Sequence, residues 1–244
     1  NFYASWILNY AMTAATPWTA AATKLKRFKG ETIPESMLSK LLALVEANVR
    51  SYYGPHWDYD AKRSELTHPD MLILLICYGN CIHAAAAYRI CSEESVRVAY
   101  LYELQVAKQA RSSGLGSMLL KHVERSAKEE NAKGIMLTVH SNNTDARKFY
   151  AKRSFEVSPV SPSLCAPPAT NRGNKYELMQ YIWDTAAANR LRQRGEDAKE
   201  FLWRQALSDG SLRIKLKMRT RLKRASDSAD LTSWAPARKK RTSS

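Results

Sequence analysis

The chain has 244 residues, enough for one well-buried core with appendages. Its hydrophobic fraction of 45% is ordinary for a folded protein, and no apolar run nears the roughly 20 residues of a membrane span. The net charge of +15 is uneven: residues 185–244 hold 16 Lys and Arg against 6 Asp and Glu, so +10 of it lies in the last quarter. That asymmetry points to an anionic partner for the tail, nucleic acid or nucleosome, and the lack of a spanning run to no membrane partner. Cys77, Cys81, Cys91 and Cys165 have no zinc-finger spacing and the five histidines are scattered, which predicts reduced thiols in an intracellular protein and no metal site. The first residues, Asn1 to Leu8, lack both an initiator Met and the basic flank of a secretory signal.

Residues 1–22, rich in Ala and Thr, carry no pattern that assigns an element. Thr23 to Phe28 reads as a first strand. Pro34-Glu35-Ser36 opens a helix, with Leu38, Leu41, Leu42, Val45 and Val49 repeating on one face. Ser51 to Asp60 is an aromatic segment punctuated by Gly54-Pro55; its local sequence reads as a packed connector, with a pocket wall as the alternative. Met71 to Tyr78 and Cys81 to Ile90 form a hairpin across Gly79-Asn80. Ser92 to Ser95 is an acidic turn before a long strand, Val96 to Val106. A helix over 115–130 and a buried strand from Gly134 to His140 follow. Ser141 to Thr144 caps a helix whose apolar face is Ala146, Phe149 and Tyr150. Phe155 to Val157 is a short strand, Ser158 to Asn174 a loop, and Lys175 to Trp183 a last strand.

This order predicts an α/β domain with a mixed sheet over residues 23–184. Beyond it, Asn189 to Leu207 reads as a charged helix with a sparse stripe of Leu191, Ala198, Phe201, Leu202 and Leu207. Residues 211–244 are expected to be mostly disordered, and Arg238 to Arg241 has the character of a nuclear-localisation run. Removing everything after Asp184 is therefore expected to leave the chemistry on a free peptide nearly intact, with some loss if the 190–207 helix packs on the sheet.

The stretch that organises the chain is Tyr100 to Leu120, a buried strand, a turn and the start of a helix. Leu115, Met118, Leu119 and Val123 share one face of that helix. Gly114 and Gly116 lack a Cβ, so backbone there can approach a ligand closely. The amides of residues 112–117 would aim free donors, aided by the helix dipole, at a phosphate or pyrophosphate. A Walker loop is excluded because Ser117-Met118 follows Gly116, and a dinucleotide fingerprint because position 119 is Leu.

Four pieces fall in the order of the GCN5-related N-acetyltransferases (GNAT): the strand ending at Val106, the loop Arg111 to Gly116, the strand to Val139, and Asn143-x-x-Ala146-x-x-Phe149-Tyr150. Within that superfamily the chain resembles the N-alpha-acetyltransferase D family, which acetylates the N-termini of core histones. Tyr53, Trp57, Tyr100-Leu-Tyr102-Glu103-Leu-Gln105, Met136 to Val139, Asn143, Ser161-Pro-Ser163 and Tyr176-Glu177 carry the resemblance, over roughly residues 48–183. It implies a central mixed, mostly antiparallel sheet flanked by helices, with acetyl-CoA as co-substrate. It also implies a histone N-terminal tail as partner, a monomer, and residence in nucleus and cytoplasm. Two departures stand out: Cys91 sits where the family's pocket has an acid, and the basic tail is not a family trait.

In this superfamily a neutral amine attacks the thioester directly. An α-amine, with a pKa of about 8, needs only a modest base. Glu103 is the candidate base, the alternative being a Glu paired with a neighbouring Lys or Arg. Strict alternation puts Tyr100 and Tyr102 opposite Leu101 and Glu103, so all can line one site only if the strand bulges. The resemblance implies such a bulge, with backbone at Leu104, Gln105 and Val106 pairing with the coenzyme arm. Arg111, Ser112, Ser113, Gly114, Leu115, Gly116 and Ser117 would hold its pyrophosphate. Asn143 would bond the arm, with helix capping as the alternative. Tyr102 or Tyr150 would return a proton to the thiolate. Tyr53, Trp57, Glu93, Tyr100, Tyr102, Thr138, Ser161 and Tyr176 would form the peptide pocket, Glu93 or Glu94 facing an Arg of a Ser-Gly-Arg N-terminus. Two other readings compete: an enzyme acting on lysine or polyamine amines, and a chromatin-binding protein with a vestigial acetyltransferase fold.

Overall fold

The structure, a computed structural model, describes residues 23–168, 171 and 175–208. The Ala/Thr-rich start and the basic stretch 211–244, with its Arg238 to Arg241 run, lie outside the described residues. Seven strands make one sheet: β1 (Thr23–Lys29), β2 (Leu72–Tyr78), β3 (Cys81–Glu93), β4 (Val96–Val106), β5 (Gly134–His140), β6 (Glu156–Val157) and β7 (Tyr176–Ile182). Their order is β1-β2-β3-β4-β5-β7-β6, and every neighbouring pair is antiparallel except β4 with β5. The helices are α1 (Glu35–Tyr53), α2 (Tyr59–Leu66), α3 (Leu115–Glu129), α4 (Thr144–Ala151), a single turn α5 (Pro162–Cys165) and α6 (Thr185–Ser208). This is the mixed, mostly antiparallel sheet flanked by helices that the sequence predicts.

Two apolar layers hold the sheet. On one face, Leu119, Leu120 and Val123 of α3 and Tyr150 of α4 pack with Ala84, Ala86, Leu101 and Leu137. On the other, Leu38, Leu41, Leu42 and Val45 of α1 cover Ile73, Leu75, Ala85 and Ala87. Burying each such Leu or Val contributes about 1.5–3 kcal/mol, so α1 is anchored by its predicted stripe. At the far end of that face, Ala187 and Leu191 of α6 pack on Val96, Val98 and Met136.

Three details differ from the sequence reading. Ser51 to Tyr53 continue α1, and Tyr59–Leu66 forms a further helix capped by Asp58, whose carboxylate accepts from the Ala61 amide at 2.9 Å. That helix buries only Leu66, so it has almost no periodicity to read. The turn between β3 and β4 shrinks to Glu94 and Ser95, both with positive φ. The C-terminal helix begins at Thr185, and its buried face is Ala187, Leu191, Gly195 and Ala206. A Cβ at Gly195 would collide with the Pro159 carbonyl, so the helix backbone lies directly on that loop. Small residues make this contact, which a search for large apolar side chains overlooks. Cutting after Asp184 would remove a packed helix; a clean truncation falls after Ser208.

Candidate active site

The sheet opens where the sequence asks for a bulge. Ala87 of β3 pairs with Glu103 of β4, but the next residue, Tyr88, pairs with Leu101, leaving Tyr102 as the extra residue. One inserted residue turns two successive side chains to the same side. Tyr102 packs on the α1 layer, Glu103 stands opposite Ala87 of that layer, and Leu101 lies in the other core. The small Ala85 and Ala87 lie across from Gln105 and Glu103, which leaves room for polar groups inside an otherwise apolar layer. Beside the bulge the sheet splits. β4 pairs with β5 only at Ala99, Tyr100 and Leu101, while β5 stays bonded to β7 as far as His140. Among the described residues, no strand pairs with Tyr102 to Val106 on the β5 side, where the Val106 carbonyl accepts from Asn48 at 3.1 Å, leaving the edge before it for strand-like pairing with an extended ligand.

The loop after β4 supplies the second half of the site. Gly114 has φ of 86°, so it takes a left-handed conformation just before α3, and Ser112 is left-handed as well at 62°. Among the described residues, no main-chain carbonyl accepts from the amides of residues 112–117. Ser113 steadies the turn by donating its hydroxyl to the Ala110 carbonyl at 2.5 Å. The two glycines have separate reasons. Gly114 permits the turn, whereas a Cβ on Gly116 would press on the Phe149 ring at 3.3 Å, so Gly116 sets how closely α3 meets α4. The Ser117 hydroxyl accepts from Arg153, whose guanidinium stacks on Phe149 at 3.7 Å. Arg153 adds a cation beside the loop that the sequence reading missed.

Glu103 is buried, and both its oxygens are engaged. Lys62 of α2 donates to Oε1 at 2.7 Å and Gln105 donates to Oε2 at 2.7 Å. Lys62 also binds Glu65 at 2.5 Å. Burial by itself would lower the Lys62 pKa, but the Glu103 and Glu65 carboxylates outweigh it and hold the ammonium well above the usual lysine value. The paired reading of Glu103 is therefore present in the geometry. A carboxylate offers about four lone-pair sites, so the pairing leaves acceptor capacity for an amine proton. Lys62 could not be foreseen, because its helix has so little pattern.

Removing Lys62 tests the weight of this pair. Lys62→Met should destabilise the protein by on the order of 3 kcal/mol, since it strands a buried carboxylate. Denaturant melts of parent and variant at neutral pH measure the loss, and an unchanged midpoint would show that the pair adds nothing to stability.

The aromatic pocket gathers around the cleft. The Tyr100 hydroxyl bonds Thr138 Oγ1 at 2.6 Å, and its ring lies 5.1 Å from that of Tyr102. Burial raises both phenols above the usual tyrosine pKa. Tyr53 stands 6.0 Å from Trp57 and 6.4 Å from Tyr176, so the end of α1 reaches across to β7. The segment expected as a connector is thus a wall of the cleft. His140, missed in the sequence, extends this wall between Tyr52 and Tyr176, with ring separations of 5.2 and 5.5 Å. An open cavity of about 230 Å³, lined by Ser51, Tyr52, His140, Ser141, Asn142 and Lys175, lies beside it. Glu93 accepts from the Cys91 thiol at 3.7 Å, and burial with that carboxylate pushes the thiol up to about 11.

Three assigned residues sit differently from expectation. Asn143 caps α4, its side chain accepting from the Ala146 amide at 3.1 Å, so its oxygen is committed to the helix. Ser161 is fully buried; it donates to Glu177 at 3.2 Å and accepts from the Leu178 amide, which makes it a brace behind the pocket. Tyr150 is packed between Phe149 and Phe155, and burial, then the Glu103 charge, raises its pKa far above the usual value. A phenol held that tightly is a poor proton donor to a thiolate. Tyr102, only half-buried, is the better placed of the two.

The chain is similar in sequence and fold to known acetyltransferases. The chain is 42% identical over 82 residues to N-alpha-acetyltransferase 40 of Saccharomyces cerevisiae, a match spanning 31% of this chain and 29% of that protein. It is 32% identical over 87 residues to the probable N-acetyltransferase san of Drosophila melanogaster, covering 35% and 47%. The chain thus spans less than half the length of these curated relatives. Among solved structures, an acetyltransferase from Streptococcus agalactiae shares the fold at 10% identity, with a TM-score of 0.53 over 66% of this chain and 98% of that one. Residues 41–155 match the Acetyltransferase (GNAT) family, and that matched stretch holds the bulged strand and the amide-lined loop.

Proposed function

We propose that the protein is an acetyl-CoA-dependent N-alpha-acetyltransferase acting on histone-type N-termini. The observation that carries it is the bulge at Tyr102, which sets Tyr100, Tyr102 and Glu103 on one side of an open strand edge next to the amide-lined loop. Acetyl-CoA supplies the activated acetyl group as a thioester. The loop amides of 112–117 bind the pyrophosphate, and the free edge at Leu104 to Val106 orients the arm. Glu103 accepts the amine proton, directly or through one water, and Tyr102 gives a proton to the departing thiolate. Tyr53, Trp57, Tyr100, Thr138 and Tyr176 surround the incoming N-terminus. Similarity to a protein named N-alpha-acetyltransferase supports the α-amine over lysine.

The test is acetylation of a panel of N-terminal peptides with mass spectrometry of the product. Acetyl on the α-amine of a Ser-Gly-Arg peptide supports the proposal, and acetyl on internal lysines alone would overturn it. Loss of the family's acid at Cys91 leaves Glu93 as the carboxylate of that hairpin, so a peptide lacking its Arg should lose less affinity here than the resemblance implies. The basic stretch after Ser208 is proposed to bind nucleic acid or nucleosomes, in nucleus and cytoplasm. Truncation after Ser208 should keep peptide turnover, weaken DNA binding, and remove a steep salt dependence. Equal DNA affinity for both chains would rule that partner out.

A further inference from the structure

A continuous line of hydrogen bonds runs from the phosphate-binding loop to Glu103. Arg111 donates to Asn48 Oδ1 at 2.8 Å. Asn48, on α1, donates through Nδ2 to Gln105 Oε1 at 2.9 Å and to the Val106 carbonyl at 3.1 Å. Gln105 then donates through Nε2 to Glu103 at 2.7 Å. The two amides could in principle point either way, but the ends of the line decide. Arg111 carries only donors and an ionised carboxylate only acceptors. With Asn48 oxygen toward Arg111, its NH₂ faces Gln105, and the NH₂ of Gln105 must face Glu103. Reversing Gln105 would oppose its NH₂ to that of Asn48, and reversing both would oppose Asn48 to the guanidinium. The line has one polarity.

We propose that Asn48 and Gln105 are positioning residues, forming with Arg111 a relay of fixed polarity that holds Glu103 as a proton acceptor. The inference deepens the reading of Glu103 as the base and rests on it. The other groups around Glu103 are Lys62 and Glu65 from α2, Tyr53 from α1 and Tyr150 from α4. Lys62 serves one carboxylate oxygen; the relay serves the other, where no cation stands in for it.

The decisive variant is Asn48→Asp, which keeps size and the contact to Arg111 but has no donor for Gln105. Its carboxylate attracts the Gln105 NH₂ away from Glu103. A hydrogen bond to a charged group is worth enough to move a titration by roughly one to two pH units. The acid limb of kcat, measured with acetyl-CoA and peptide saturating, should therefore shift upward by about that amount. Gln105→Met, which removes the donor at constant bulk, should shift the limb the same way and serves if Asn48→Asp fails to fold. A second readout needs no turnover: carboxyl ¹³C NMR of Glu-labelled protein, the Glu103 signal being identified by its loss in Glu103→Gln. That signal should titrate at higher pH in both variants. An unmoved signal and an unmoved limb would overturn the relay, as would a change confined to the KM for acetyl-CoA, which would leave Asn48 serving only the Val106 carbonyl. A shifted signal in a protein that acetylates no peptide would uphold the relay and sink the acetyltransferase reading instead.

Discussion

Glu103→Gln should lower kcat on a histone-type peptide by about 10²-fold while leaving the KM for acetyl-CoA within a few-fold of the parent. The carboxylate is assigned to the amine proton, and the coenzyme is held elsewhere, by the loop amides and the free β4 edge. The loss should shrink as pH rises past the amine pKa of about 8, because more of the substrate is then already neutral. A glutamine also offers only one acceptor oxygen to the two donors that face Glu103, Lys62 and Gln105. One of them is left facing an NH₂, at a cost of about 1–3 kcal/mol in stability. A thermal melt beside the kinetics separates the two effects. Lower stability with unchanged turnover at neutral pH would reduce Glu103 to the ion-pair partner it also is.

Much of this site was legible because its parts are local. The helix face at Leu38, Leu41, Leu42 and Val45, the β2–β3 hairpin across Gly79-Asn80 and the Arg111 to Gly116 loop are all written in consecutive residues. The bulge was legible only through the family resemblance, which implies that Tyr100, Tyr102 and Glu103 share a side that a regular strand cannot give them. What stayed hidden depends on partners far apart in sequence. Lys62 meets Glu103 across 41 positions, and Asn48 meets Gln105 across 57. Asn48 reads locally as one more polar residue at the border of the apolar face of α1. The docking of α6 was hidden for another reason: Gly195 makes contact by lacking a side chain, so it leaves no hydrophobic trace. Asn143 was open to two readings. Its place before a helix allows capping and ligand binding equally, and only the bond to Ala146 shows that its oxygen is spent on the cap.

Gly114→Trp should abolish acetyl-CoA binding at coenzyme concentrations that saturate the parent, measured by calorimetry or tryptophan quenching. Two effects combine in that variant, and they need separating. Gly114 sits at φ of 86°, where any L side chain costs about 1–2 kcal/mol, so every substitution lowers the melting temperature by some degrees. An indole also adds bulk at the entrance to the α3 N-terminus, where the amides of 112–117 have no main-chain acceptor. Gly114→Asn isolates the first effect, because Asn tolerates the left-handed region better than other residues and adds little bulk. It should bind coenzyme nearly as the parent does. Gly114→Ala should melt lower than Asn yet still bind. If charge-assisted bonds from the loop are worth about 1.5–3 kcal/mol each, blocking two or three of them removes all measurable affinity. The ranking expected in affinity is parent, then Asn, then Ala, with Trp undetectable. Tight coenzyme binding by a folded Gly114→Trp protein would move the pyrophosphate off this loop, and Arg153 beside Ser117 would become the next residue to test.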